Sequence, residues 1–125
     1  MPNARHELGR AAEEAAARWL REAGWHILAS RWRVPEGELD IVALDGEGVL
    51  VAVEVRARTS QRTGAAAESI DGRRLGRLRR ALARYAVEAA PPHVGTRLDL
   101  VTLSAEWTDA GPRWRATRLE AIDGW

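Results

Sequence analysis

Two short stretches, Glu38 to Asp45 and Val49 to Ala57, flank Gly46-Glu47-Gly48, and the second constrains the fold more than any other part of the chain. Val49, Val51, Val53 and Val55 alternate along it, so in a strand they share one face, and that face must be buried. A one-residue slip would exchange this face for the one carrying Glu54, Arg56 and Arg58, so the register is strongly specified. A three-residue loop that pairs Asp45 with Val49 sets Asp40 directly opposite Glu54. Residues so opposed have Cβ atoms about 4.5 to 5.5 Å apart, close enough for two carboxylates to share a divalent cation. Asp40 shares its strand face with Glu38, Val42 and Leu44, and Glu54 shares its own with Leu50 and Ala52. The competing reading is a solvated face on which Glu54 pairs with Arg56 or Arg58. Two features weigh against it: the strands are apolar enough to be central, and the acids lie far from the turn.

Around this hairpin the chain alternates its periodicities. From about Arg5 to Ala23, Leu8, Ala12, Ala15, Trp19 and Ala23 recur at helical spacing and Gly24 ends the run. Arg10, Glu14, Arg18 and Arg21 fall on its polar side, and Glu13 falls on the flank beside Ala16 and Leu20, at the edge of the core. Trp25 to Val34 reads as a strand, closed by Pro35-Glu36-Gly37, which makes the first three strands an antiparallel meander. Asp71 is a cap for a helix over about Gly72 to Ala89 that Pro91-Pro92 stops. Two final strands, about Arg97 to Leu103 and Trp114 to Leu119, flank a loop with Asp109-Ala110-Gly111-Pro112. The order α-β-β-β-α-β-β predicts an α/β or α+β fold, a mixed sheet with helices packed on it, in one domain spanning residues 1–125.

Composition removes several chemistries. No cysteine is present, so disulfides, thiolate catalysis and cysteine-bound zinc are excluded, and His6, His26 and His93 are too scattered for a local histidine site. Any metal must be held by oxygen. A chain with no signal-like start and no apolar run long enough to span a bilayer is expected in the cytoplasm, away from membranes. The six tryptophans read as core aromatics, with Trp125 as an exposed tail residue.

The net charge is only +1, yet all 19 basic residues are arginine and six lie between Arg73 and Arg84. Arg73, Arg77, Arg80 and Arg84 are spaced by four, three and four, which lines them along one strip of the second helix opposite Leu75, Leu78, Leu82, Tyr85 and Ala89. Beyond Asp71 the next carboxylate is Glu88, so acids within the helix are too few to neutralise the row. Such a strip suits phosphate contacts without sequence preference, and a solvated helix face is the alternative.

Taken together, Gly9-Arg10-Ala11-Ala12-Glu13-Glu14, Gly24-Trp25-His26-Ile27-Leu28 to Arg31-Trp32-Arg33, Gly37-Glu38-Leu39-Asp40-Ile41-Val42, Val53-Glu54-Val55-Arg56-Ala57-Arg58 and Arg97-Leu98-Asp99-Leu100-Val101 resemble the YraN-like family. That family is bacterial, with the restriction-endonuclease-like fold shared by archaeal Holliday-junction resolvases and the PD-(D/E)xK nucleases, and the resemblance covers nearly the whole chain. It implies that Asp40 and Glu54 are Mg²⁺ ligands, with Mn²⁺ as a substitute, that Glu13 completes or supports the acidic cluster, and that the Val55 carbonyl is a further oxygen ligand. Glu38 matches the pattern as a rim carboxylate or a direct ligand. Two departures stand out. Ala12-Glu13 replaces the usual Gly-Glu, which a helix tolerates. Arg56 stands where the motif has lysine, and arginine can clamp a phosphate but cannot readily exchange a proton with a nucleophilic water. The expected activity is phosphodiester hydrolysis by a Mg²⁺-dependent endonuclease, on DNA and in branched structures as the resolvases suggest, with Arg56, Arg58, Arg73, Arg74, Arg77, Arg80 and Arg84 facing the nucleic acid. The alternatives are a binding module that has lost turnover through Arg56, and an RNA-processing nuclease. Resolvases act as symmetric dimers, which makes a homodimer a further expectation.

Overall fold

The computed structural model describes residues 4–58 and 70–123. Helix α1 spans Ala4–Glu22, and strands β1 (His26–Val34), β2 (Gly37–Leu44) and β3 (Leu50–Arg58) follow it. Helix α2 (Gly72–Glu88) leads to β4 (Thr96–Thr108) and β5 (Gly111–Leu119). The five strands form one mixed sheet in the order β1-β2-β3-β4-β5, with β3 and β4 parallel and the other neighbours antiparallel. The α+β arrangement and the order of elements match the sequence expectation, including the antiparallel meander of the first three strands. Among the described residues no helix is long and apolar enough to cross a membrane.

The sheet is covered on both faces. Ala12, Ala15, Ala16 and Leu20 of α1 pack against Ile41, Ala43, Val51, Val53, Val55, Val101 and Leu103, and Val49 joins them partly buried. On the other side Leu78, Ala81, Leu82 and Tyr85 of α2 pack against Leu39, Val42, Leu50, Ala52 and Leu98. Strand β3 is therefore buried on both faces, which is where the alternating valines had to go. The buried stripe of α1 turns further toward Ala16 and Leu20 than the spacing from Leu8 to Ala23 suggests, and Ala23 itself is exposed. Ala89 is likewise exposed, because it caps the end of α2 instead of packing under it.

Local chemistry sets the turns. Asp45 accepts hydrogen bonds at Oδ1 from the N–H groups of Glu47 (2.8 Å) and Val49 (3.0 Å), and its own N–H donates to the Val49 carbonyl at 3.0 Å. Gly48 takes a φ of +86°, as a three-residue hairpin loop requires at its last position. The ladder then runs from Leu44↔Leu50 to Ile41↔Val53. At α2, Asp71 Oδ1 accepts from the Arg74 N–H at 2.8 Å, the expected cap.

Two expectations need correction. The last two strands are longer than predicted: β4 and β5 stay paired to Thr108↔Gly111, so residues placed in a loop belong to a hairpin that extends past the end of β3. Trp107 sits on this extension, 77 % exposed, and is not a core aromatic. Trp19, Trp25 and Trp114 do border the α1 core, and Trp32 stands edge-on to Tyr85 at 5.1 Å. Trp125 lies outside the described residues.

Candidate functional site

Beyond Ile41↔Val53 the β2–β3 ladder opens, and Asp40 lies at the opening. Leu39 and Val42 both pack toward α2 while Ile41 packs toward α1, so the alternation of β2 turns over at Asp40. The cause lies across the strand pair. Ser30 pairs with Ile41 and Trp32 with Leu39, which puts Arg31 opposite Asp40, and Arg31 has a left-handed φ of +50°. A non-glycine residue in that region costs about 1 kcal/mol or more and persists only where its surroundings impose it.

The Asp40 carboxylate turns into the gap and accepts the Val55 N–H at 2.9 Å through Oδ2. This supplies the hydrogen bond that the opened ladder withholds from Val55. Asp40 also faces the carboxyl group of Glu54. Burial, followed by the hydrogen bond and the negative charge of Glu54, pushes the Asp40 carboxyl up to about 8, against the Val55 N–H, which acts in the opposite direction. Glu54 is itself buried and receives two hydrogen bonds at Oε2 from Arg74, from Nε at 2.9 Å and from Nη2 at 2.7 Å.

Three carboxylates converge here: one oxygen from each of Glu13, Glu38 and Asp40 can lie within 4.8 Å of the others. Glu13 reaches the cluster from α1 and Glu38 from the start of β2, and both are half-buried. Each is balanced by an arginine of β1, Arg31 Nε donating to Glu13 at 2.6 Å and Arg33 Nε to Glu38 at 2.7 Å. The donors are all oxygen, which fits a hard divalent cation such as Mg²⁺ or Mn²⁺ and no soft metal.

The residues singled out from the sequence are thus distributed unevenly. Asp40 and Glu54 stand together with Glu13 nearby, and Glu38 joins as a full member of the cluster. Val55 contributes its N–H to Asp40. Arg56 follows Glu54 on β3, half-buried, and its Nε is buried with no hydrogen-bond partner. Arg58 is half-buried at the end of the strand. Arg74 is turned inward onto Glu54, away from the outer strip of α2. Arg84 pairs with Glu36 at 3.4 Å and Glu88 at 3.6 Å, so that end of the strip is neutralised after all, partly by a residue far away in sequence. Arg79 pairs with Asp123 at 3.1 Å. Among the described residues, Arg73, Arg77 and Arg80 keep no hydrogen-bonded or ionic partner.

Sequence reasoning did not single out Arg31 and Arg33 as counter-charges. Their position opposite Asp40 and Glu38 follows from strand pairing, but the bulge at Leu28 shifts the β1–β2 register and hides it. A depression of about 440 Å³ beside the cluster is bordered by Glu36, Glu38, Asp40, Arg74 and Arg77, so the free part of the α2 strip opens directly onto the acids.

Fold and site together define a single α+β domain with carboxylates gathered at the opening of two central strands and arginines arrayed around them. The chain belongs to the family described as Uncharacterised protein family UPF0102, which matches residues 12–103. It is 41% identical over 121 residues to a UPF0102 protein of Frankia casuarinae, covering 97% of each chain. It is also similar to a UPF0102 protein of Pelotomaculum thermopropionicum, at 46% identity over 82% of this chain and 85% of that one. A third, from Moorella thermoacetica, is 40% identical over 99% of this chain and 98% of its own.

Proposed function

We propose that this protein is a divalent-cation-dependent phosphodiester hydrolase acting on nucleic acid. The observation that carries the proposal is the convergence of Glu13, Glu38 and Asp40, with Glu54 against Asp40, beside arginines that have no acid to balance them. Three of these acids are balanced by Arg31, Arg33 and Arg74, and the fourth, Asp40, retains its proton to an unusually high pH, through burial first and the neighbouring Glu54 second.

Glu13, Glu38 and Asp40 would hold Mg²⁺ through oxygen, and Glu54 would join them once released from Arg74. When bound, the cation polarises a phosphoryl oxygen and lowers the pKa of a coordinated water. The chain's own residues do the rest. Asp40 gives up its proton as the site loads. Arg74, freed from Glu54, is then within reach of a phosphate, beside Arg77 in the same depression. Arg73, Arg77 and Arg80 hold the backbone by charge and leave the bases unread. Arg56 lies two residues after Glu54, where it can clamp the phosphate but not relay a proton.

A second reading, from a different class, has its own support. The Glu54–Arg74 pair is closed and Arg56 replaces a lysine, so the scaffold could serve as a nucleic-acid-binding module without turnover. Linear, nicked, flapped and four-way DNA and matching RNA, incubated with Mg²⁺ or Mn²⁺ and with an Asp40→Asn control, separate the two. Metal-dependent cleavage that the control lacks supports the hydrolase. Tight binding without cleavage supports the module, and neither binding nor cleavage overturns both.

A further inference from the structure

We infer that the groove between α1 and β1 is a second site for a phosphodiester backbone, distinct from the arginine strip of α2 and joined to the acid cluster through Glu13 and Arg31. The inference rests on the nucleic-acid reading above and deepens it. The groove has a volume of about 580 Å³ and is bordered by Arg10, Arg18, Arg21 and Arg31 together with Glu13 and Glu14. Four guanidinium groups face two carboxylates there, and Glu13 is already engaged with Arg31. Among the described residues, Arg10, Arg18 and Arg21 are exposed with no hydrogen-bonded or ionic partner. Glu14 lies four residues from both Arg10 and Arg18, the spacing at which helical ion pairs form, yet it forms none among the described residues. The groove is therefore positively charged, and the donors of Arg10, Arg18 and Arg21 are uncommitted.

Arg10 to Arg18 spans about 12 Å of helix, which corresponds to about three to four nucleotide rises along a duplex axis. Arg31 closes the end nearest the acids. Its left-handed backbone directs the side chain to Glu13, where Nε alone is used at 2.6 Å. The terminal nitrogens of the same guanidinium remain for a phosphate, a planar fork suited to that anion. α1 and α2 pack on opposite faces of the sheet, so this groove and the α2 strip contact different stretches of backbone, with the acid cluster between them.

The test is fluorescence anisotropy with labelled DNA and RNA over a range of salt, on the whole protein in EDTA so that nothing is cleaved. Arg18→Ala with Arg21→Ala should weaken binding by about ten-fold and lower the salt slope by about 1 to 2. Adding Arg77→Ala and Arg80→Ala should lower both again, because the sites are separate. Arg31→Gly, which suits the left-handed backbone, should fold and also bind several-fold more weakly. Unchanged affinity and slope in the Arg18/Arg21 variant, with an unchanged melting temperature, would overturn the second site. Wild-type protein that binds neither DNA nor RNA would sink the nucleic-acid reading itself, a different result from the first.

Discussion

Asp40 concentrates the chemistry of the site in one titration. Its folded pKa is raised from the ordinary 3.8 to about 8, by burial first and by Glu54 second. A carboxyl group raised in this direction stabilises the fold while protonated: the contribution is complete below about 3.8 and is lost as pH rises through about 8. Metal-free protein should therefore lose thermal stability across that window, and Asp40→Asn, which keeps a carbonyl for the Val55 N–H, should flatten the loss. Identical melting profiles for variant and wild type would remove Asp40 as the cause. Cation binding needs the ionised form, so Mg²⁺ affinity should rise with pH up to about 8 and level off above it, with protons released on binding. Calorimetry in buffers of different ionisation enthalpy measures that release directly. In the proposed hydrolase, Arg56 is the other residue on which turnover would depend. Arg56→Lys should leave binding intact and speed cleavage by about ten-fold, since an ammonium can exchange a proton where a guanidinium cannot, although it forfeits the bidentate phosphate fork. A lysine variant that binds as well and cleaves no faster would show that Arg56 is a competent clamp.

At the scale of elements, the proposed function assigns the metal to the acids around the hairpin and the substrate to α2. Removing Arg77 and Arg80 together should lower the salt dependence of nucleic-acid binding by a slope of about 1 to 2 while leaving sequence preference unchanged. An unchanged slope would reduce the strip to a solvated face. Asp71→Ala, which removes the α2 cap, should cost about 1 kcal/mol in denaturant unfolding. The hairpin was legible in the sequence because Val49, Val51, Val53 and Val55 allow only one face to be buried, and the Asp45 to Val49 loop then counts the register inward. The position of Glu13 on the flank of α1 was legible from helical spacing alone. The inward turn of Arg74 was not, because its partner Glu54 lies 20 residues away and the two meet only once α2 packs on the sheet. Arg31 was hidden for another reason: no residue type or spacing announces a left-handed arginine, and the bulge that sets its neighbours is a property of paired strands. Trp107 was misplaced because the β4–β5 pairing continues across a segment rich in turn residues, Asp109 to Pro112, that reads as a longer loop.

For the whole molecule, a buried ion network beside the first half of β3, where Asp99 pairs with Val53, fixes the sheet on which the site depends. Asp99 is fully buried and receives Arg97 at 2.9 and 3.0 Å, Arg118 at 2.9 Å and the Ala121 N–H at 3.0 Å. Arg97 also reaches Asp45 at 3.0 Å, and both arginines lie over Trp25, so the β2–β3 turn, β4, β5 and the start of β1 are tied together. Asp99→Ala should cost about 3 kcal/mol, because it removes the buried counter-charge shared by Arg118 and Arg97 and leaves Arg97 only Asp45 and Glu120. Denaturant unfolding measures that loss, and a cost under about 1 kcal/mol would mean the arginines find other partners. The acid cluster thus sits in a rigid frame between two arginine-lined depressions, and the account stands or falls on whether those acids hold a cation. Crystals grown with Mn²⁺ and measured near the manganese absorption edge answer this most directly. The account predicts an anomalous peak among Glu13, Glu38 and Asp40 that disappears in Asp40→Asn, whereas a cluster without a peak, its acids still paired with Arg31, Arg33 and Arg74, would contradict it.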